Sequence, residues 1–180
     1  MKIPDEFGLR KGWIYEVIVT AAGNAAPMGI LTRDSESIEM EIYKGSKTCE
    51  IILDKRRFVI NFVDDIDIFY NSIFEKEKIE LEGNHLKNAN AFIEMEVDGE
   101  EDLGDRVQVN AVPLAFVIIK VPRPVNRAES LVLESLIAST KIPHVCAEER
   151  KFLEKKIQDN LRVVKKVAPG SRFERILEKL

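Results

Sequence analysis

A short segment, Lys44-Gly45-Ser46-Lys47-Thr48, contains the residues best suited to bind an anion. It follows a strand-like segment and precedes a helix-like one, Gly45 tolerates unusual backbone angles, and Ser46 is a favoured helix N-cap. Free N–H groups of the first helical turn would lie beside two hydroxyls and an ammonium group, an arrangement that suits a phosphate. A capped helix start on the surface would give the same pattern. The segment is not a Walker A loop, because a serine separates Gly45 from Lys47.

Three other features are compatible with a ligand site. In residues 23–29, Pro27 has no N–H to donate to a strand ladder, so neighbouring backbone groups could hydrogen-bond the edge of a heteroaromatic ring. Alternatively, this segment forms a β-bulge. Asn61 is an amide in an apolar strand, and it needs either a ligand carbonyl or a neighbouring loop as its partner. Arg127 stands at a strand-to-helix junction, where it could contact an anion or form a surface salt bridge.

The sequence does not indicate a metal centre or a nucleophilic enzyme. His85 and His144 are the only histidines, and neither lies in a recognisable motif. Cys49 and Cys146 are far apart and form no CxxC pair, so no thiolate zinc site is expected. A hydrolase using His144 and Cys146 is disfavoured because nothing around the two residues orients them. No catalytic side chain can therefore be named.

Charge and hydropathy restrict the partners. A net charge of −4 disfavours nucleic acid and acidic membranes as general partners. The first residues contain no apolar signal core, and no apolar run approaches the roughly 20 residues of a membrane-spanning helix. These features predict a soluble, cytoplasmic protein.

Strand patterns occupy the first two thirds of the chain and helical patterns the rest. We expect strands at residues 13–22, 25–33, 38–43, 57–63, 91–97 and 106–121, the last interrupted at Pro113. Short helices are expected at 64–74, irregular chain at 75–86 and an acidic turn at 99–104. Strands first and helices last predict an α+β fold, an antiparallel barrel or sheet at 1–124 with a helical extension at 125–180.

The order of these motifs resembles the FMN-binding split-barrel superfamily, the flavin reductase and flavoredoxin-like group. The resemblance covers roughly residues 13–122 and rests on Asn24-x-x-Pro27-Met28-Gly29, then Gly45-Ser46-Lys47-Thr48, then Phe58-Val59-Ile60-Asn61. More narrowly, the chain resembles an uncharacterised, largely archaeal branch with a helical C-terminal extension. One departure is Gly29, where many flavin reductases have a serine.

The resemblance implies a split β-barrel with FMN as cofactor and nine cofactor-binding residues. Those placed along the isoalloxazine ring are Asn24, Met28 and Gly29. Those placed on the phosphate are Ser46, Lys47 and Thr48. Asn61 would face the flavin or its ribityl chain. The weaker candidates, for the phosphate or a partner subunit, are Arg33 and Arg127.

The resemblance also implies an assembly and an activity. Family members are usually homodimers with the flavin near the subunit interface. A flavin-dependent oxidoreductase of unknown substrate is therefore expected. The alternative is a non-enzymatic, dimeric flavin-binding or protein-interaction module, since a fold alone does not determine chemistry.

Overall fold

The computed structural model describes residues 1–180, which form two compact units. The first contains Met1–Lys11 and Tyr15–Val125, and the second contains Gly12–Ile14 and Asn126–Leu180. Residues 12–14 belong to the second unit because Trp13 packs on Phe173, with ring centroids 6.2 Å apart. The Ile14 N–H also donates to the Val167 carbonyl oxygen at 3.0 Å.

The first unit is a closed antiparallel barrel, which confirms the predicted fold class. Its strands are β1 (Tyr15–Ala21), β2 (Asn24–Leu31), β3 (Ile38–Tyr43), β4 (Arg57–Phe62), β5 (Leu81–Glu82), β6 (His85–Leu86), β7 (Ala91–Asp102) and β8 (Arg106–Ile118). Six of them form the barrel in the order β1-β2-β3-β8-β7-β4, and β4 pairs with β1 to close it. The helices of this unit are α1 (Lys47–Lys55) and α2 (Ile66–Phe74), with 3-10 turns at Asp5–Phe7 and Lys76–Lys78.

Alternation along the strands builds the barrel core. Val19 lies opposite Ile60, and Ile60 lies opposite Ile93, so the three share one face. All three are fully buried, whereas Glu94, the next residue on β7, is exposed. One face of each strand therefore fills the barrel interior and the other faces outward.

A gap separates most of β2 from β3. The two strands pair only through Ile30 with Met40 and Leu31 with Glu39. Residues 24–29 of β2 pair with β1 on one side and have no strand partner on the other. Pro27 lies in the middle of this unpaired edge, and its pairing with β1 is continuous, so the strand has no β-bulge there.

The predicted interruption at Pro113 is wrong, because β8 continues through it. Pro113 pairs with Met95, and Leu114 is an extra residue that forms a bulge before Ala115 pairs with Glu94. β8 lies between β7 and β3, but its pairing with β3 ends at Ala111. The missing N–H of Pro113 therefore removes no hydrogen bond between β8 and β3.

Two loop predictions are also wrong. Residues 99–102 are strand and not an acidic turn, because Gly99 to Asp102 pair with Asn110 to Val107 of β8. The acidic side chains are tolerated because they are exposed on this part of the sheet. Within 75–86, β5 and β6 form a small hairpin around Gly83, whose φ of +63° a glycine adopts without strain.

The second unit is helical, as the 3.6-residue periodicity predicts. It contains α3 (Ala128–Lys141), a 3-10 turn at Ile142–His144, α4 (Ala147–Val167) and α5 (Arg172–Leu177). Its main core consists of Ala128, Val132, Val164, Val167, Ala168 and Leu177. The side-chain oxygen of Asn126 accepts from the Ala128 N–H at 2.8 Å, which gives one donor at the start of α3 a partner. None of the helices in the structure combines the length and the apolar character needed to cross a membrane.

Candidate functional site

The start of α1 presents unpaired hydrogen-bond donors. Gly45, with a φ of +75°, turns the chain after β3, and the Ser46 hydroxyl oxygen accepts from the Cys49 N–H at 3.2 Å. The Glu50 N–H donates to the Ser46 carbonyl oxygen at 3.1 Å. The N–H groups of Lys47 and Thr48 remain without an acceptor in the chain, as is usual in a first helical turn.

Three elements meet beside this helix start through Asn24. Its side-chain amide nitrogen donates to the Thr48 hydroxyl oxygen at 2.9 Å. Its carbonyl oxygen accepts from the Lys76 ammonium at 3.2 Å. Asn24 and Thr48 are 4% and 5% exposed, so this pair is almost fully removed from water. The first residue of β2, the start of α1 and the 3-10 turn after α2 therefore supply one polar cluster.

Lys76 is the residue that the sequence analysis missed. It lies in the run Glu75-Lys76-Glu77-Lys78, which reads as an ordinary solvated segment. Lys78 in the same run does form an exposed ion pair with Glu75 at 2.6 Å. Only the fold, which places Lys76 against the first residue of β2, distinguishes the two lysines.

Asn61 is fully buried and makes all its hydrogen bonds within the chain. Its amide nitrogen donates to the Ile18 carbonyl and the Thr20 hydroxyl at 3.0 Å, and to the Val59 carbonyl at 3.3 Å. Its carbonyl oxygen accepts from the Leu86 N–H at 2.7 Å. Of the two partners considered for Asn61, the structure shows the neighbouring loop, since this residue holds the β5–β6 hairpin against the barrel.

The other expected ligand residues lie in different places. Met28 and Gly29 are half-buried on the unpaired edge of β2, which also begins at Asn24. Arg33 follows β2, is largely exposed, and its Nε donates to Glu39 at 2.7 Å. Arg127 belongs to the second unit, at the start of α3. The first unit thus brings together Asn24, Ser46, Lys47 and Thr48, with Met28 and Gly29 along the same strand.

The cysteine in the first turn of α1 is not an activated thiol. Burial raises the pKa of the Cys49 thiol, and the nearby Glu50 carboxylate raises this pKa further. The thiol is therefore neutral near pH 7 despite its position at a helix N-terminus. The donors around it can bind an anion, but the cluster contains no activated nucleophile.

A cavity of about 390 Å³ lies on the first unit beside the β1–β2 turn. Thr20, Val59 and Glu94 lie side by side on the sheet along its wall, and the bulge residue Leu114 contributes to the rim. Its size is in the range of small-molecule pockets. The sequence did not indicate this cavity, because its residues come from four strands, two turns and the last residue of α1.

Comparisons with known proteins agree with this fold. A family model described as "Protein of unknown function (DUF447) N-terminal domain" matches residues 15–120. An uncharacterised protein of Methanocaldococcus jannaschii is 25% identical over 188 residues, covering 86% of this chain and 90% of its own.

Solved structures extend the comparison. The crystal structure of an FMN-bound protein from Methanosarcina mazei, assigned to the same family, matches with 26% identity, a TM-score of 0.57 and coverage of 97% of this chain and 96% of its own. A 2-nitrobenzoate 2-nitroreductase from Pseudomonas fluorescens matches with 16% identity and a TM-score of 0.50, covering 62% of this chain and 68% of its own, which indicates a shared fold only. The barrel, its helical extension and the family match together confirm the expected resemblance: the chain belongs to the DUF447 family.

Proposed function

We propose that this chain binds FMN, with the phosphate at the start of α1, and that it is a flavin-dependent oxidoreductase. The observation that carries this proposal is that the N–H groups of Lys47 and Thr48 and the hydroxyl proton of Thr48 have no acceptor in the chain. The FMN-bound relative of the same family supports the identity of the ligand.

The donors at the start of α1 fit a phosphomonoester. The N–H groups of Lys47 and Thr48 point out of a helix N-terminus, whose partial positive charge favours anions. The Lys47 ammonium is exposed and able to reach an anion there, and the Ser46 hydroxyl can donate while its oxygen caps the helix. These residues would hold the phosphate by charge and by hydrogen bonds.

The unpaired edge of β2 fits the flavin ring. In an antiparallel pair, the backbone groups of alternate residues point away from the partner strand, here toward the gap beside residues 24–29. Met28 would pack against the isoalloxazine and the backbone at Gly29 would contact its polar edge. Asn24 links this edge to the phosphate end through its bond to Thr48.

The remaining candidates have secondary roles in this proposal. Asn61 would support the site from behind by fixing the β5–β6 hairpin, because its own hydrogen bonds are satisfied. Arg33 and Arg127 would contact the phosphate or a partner subunit. A bound flavin supplies one- and two-electron chemistry, while the protein positions it and adjusts its surroundings.

The proposal includes a homodimer with the flavin near the interface. Exposed apolar residues are frequent in the sequence at the end of β8 and just beyond, namely Leu114, Phe116, Val117, Ile119 and Val121. A second copy of the chain would remove this apolar surface from water. A cytoplasmic location is also proposed, supported by Cys49 and Cys146, which are both free thiols.

The visible spectrum of the purified protein and an FMN titration test the proposal. We expect flavin absorbance, or a rise in melting temperature on adding FMN. A colourless protein without a thermal shift would contradict FMN binding. If FMN binds, the double variant Lys47→Ala with Thr48→Val should lose far more affinity for FMN than for riboflavin. Equal losses would place the phosphate elsewhere.

A second candidate function is a flavin-binding or protein-interaction module without catalysis. It is favoured by exposed apolar side chains on the helical unit, such as Leu133, Ile137 and Phe152. Reduction of bound FMN by NADH or NADPH distinguishes the two functions. Turnover with either donor supports the oxidoreductase, whereas tight FMN binding without reduction by these donors or by an artificial donor supports the module.

A further inference from the structure

We infer that Lys76 gives the proposed site its preference for a phosphorylated flavin, by fixing the direction of a chain of hydrogen bonds that ends on Thr48. This role rests on the proposed FMN site at the start of α1. Lys76 lies 28 residues beyond Thr48 in the sequence, and no motif identifies it.

The ammonium group of Lys76 determines which way the Asn24 amide points. An ammonium group can only donate hydrogen bonds, so the atom of Asn24 that faces it at 3.2 Å must be the carbonyl oxygen. The amide nitrogen then faces the Thr48 hydroxyl oxygen at 2.9 Å. Because an amide nitrogen also only donates, Thr48 must accept this bond.

Thr48 is consequently left with a hydroxyl proton to donate. No atom of the chain accepts this proton, although the residue is only 5% exposed. The N–H groups of Lys47 and Thr48 are unpaired at the same helix start. A phosphate dianion offers several oxygen acceptors and a charge that Lys76 attracts, whereas the terminal hydroxyl of riboflavin offers one neutral acceptor.

The surroundings keep this arrangement in place. Asn24 is more than nine-tenths buried, so its amide cannot exchange its partners for bulk water. The Lys76 side chain is exposed except for its contact with Asn24. Replacing Lys76 should therefore remove the positive charge and free the Asn24 amide to reverse its hydrogen bonds, without removing a core contact.

The test compares Lys76→Met with Lys78→Met in the full chain. Lys78 lies in the same 3-10 turn and pairs with Glu75 instead, so it is a matched control for lost charge. Dissociation constants for FMN and riboflavin are measured by flavin fluorescence at low and at moderate salt. We expect Lys76→Met to weaken FMN about tenfold or more and riboflavin less than about twofold, with a weaker salt dependence for FMN. Lys78→Met should behave like the wild type.

A third variant, Asn24→Asp, tests the direction of the hydrogen bonds that run from Lys76 through Asn24 to Thr48. A carboxylate can only accept, so Thr48 would have to donate to Asp and would lose its free proton, while Lys76 would keep a partner. We expect this variant to fold and to lose the preference for FMN over riboflavin by about tenfold. An unchanged preference in Asn24→Asp would overturn the proposed direction.

The other possible results distinguish a failure of the role of Lys76 from a failure of the proposed FMN site. If the wild type prefers FMN but Lys76→Met binds both flavins as Lys78→Met does, Lys76 has no such role and the FMN site stands. If the wild type binds FMN and riboflavin equally, the phosphate preference itself is absent, and flavin binding stands alone. If the wild type binds neither flavin, the role of Lys76 and the proposed function both fail.

Discussion

At the scale of single residues, Asn61 was a candidate ligand residue, and in the structure its amide holds the β5–β6 hairpin against the barrel. The polar residue was identifiable from the sequence because it interrupts an apolar strand. Its partner was not, since Leu86 lies 25 residues away in a hairpin with two-residue strands. Periodicity does not detect strands this short, so the ligand and the loop stayed equal alternatives.

Replacing Asn61 with leucine should destabilise the barrel by about 2–4 kcal/mol. The substitution leaves the Leu86 N–H and the Ile18 carbonyl without their side-chain partner in a buried place. Urea unfolding measures the loss, and hydrogen exchange at the Leu86 amide should accelerate. The control is Asn160→Leu, whose amide is only partly buried, and a loss of about 1 kcal/mol is expected there. Unchanged stability with lost FMN binding would restore the ligand-facing role of Asn61.

Asp34 gives a pH-dependent contribution to stability. Hydrogen bonds from the backbone N–H groups of Glu36 and Ser37, at 2.8 and 2.9 Å, lower the pKa of its carboxyl group. The ionised form is therefore stabilised in the folded chain, and this contribution is present near neutral pH and lost as the pH falls through the lowered pKa. The side chain is exposed, so screening keeps the effect below about 1 kcal/mol.

The matched variant for this effect is Asp34→Asn, which keeps a neutral acceptor at every pH. We expect the wild type to be the more stable protein at pH 7 and to have lost part of this advantage at about pH 3, below the ordinary pKa of 3.8. Urea unfolding of both proteins at the two pH values measures the difference. A stability difference that does not change with pH would show that the charge of Asp34 is unimportant.

At the scale of elements, helix α1 combines stability with ligand binding. Its start was predictable, because glycine followed by serine and a helix-like run is a local signal. The unpaired edge of β2 was partly predictable from Pro27. The bulge at Leu114 and the extension of β7 to Asp102 were not, because the pairing with β8 determines both. The cavity beside the β1–β2 turn depends on the same pairing and was equally hidden.

Alanine variants of two helix-capping serines, Ser46 and Ser171, distinguish the contribution of α1 to stability from its contribution to FMN binding. Ser46→Ala should cost about 1 kcal/mol of stability and should also weaken FMN, because the first helical turn loses its fixed geometry. Ser171→Ala removes the equivalent bond to the Glu174 N–H at the start of α5 in the second unit, and should cost stability alone. Thermal unfolding and FMN titration of both variants measure this. Equal FMN affinities in the two variants would contradict a phosphate at α1.

At the scale of the whole molecule, the proposed homodimer needs an apolar surface on which two copies of the chain can meet. The composition predicted a globular protein, but it did not indicate where apolar surface remains exposed. Part of that surface lies at the end of β8 and beyond, where Val117 and Ile119 are 43% and 64% exposed.

Light scattering should give a mass near twice that of one chain for the wild type. The double variant Val117→Glu with Ile119→Glu should be monomeric, because charges on an apolar interface oppose association. Leu133→Glu, an exposed apolar residue of the helical unit, is the control and should remain dimeric. A monomeric wild type, or dissociation only in the control, would contradict an interface at β8.

The proline in the open edge of β2 has one further consequence. An unpaired strand edge ordinarily recruits another strand, either from a peptide ligand or from an aggregating chain. Pro27 has no N–H to donate, so a strand added beside residues 24–29 would lack a bond at its centre. The edge is thus poorly suited to β-augmentation, whereas a compact, flat molecule needs no continuous ladder of hydrogen bonds from it.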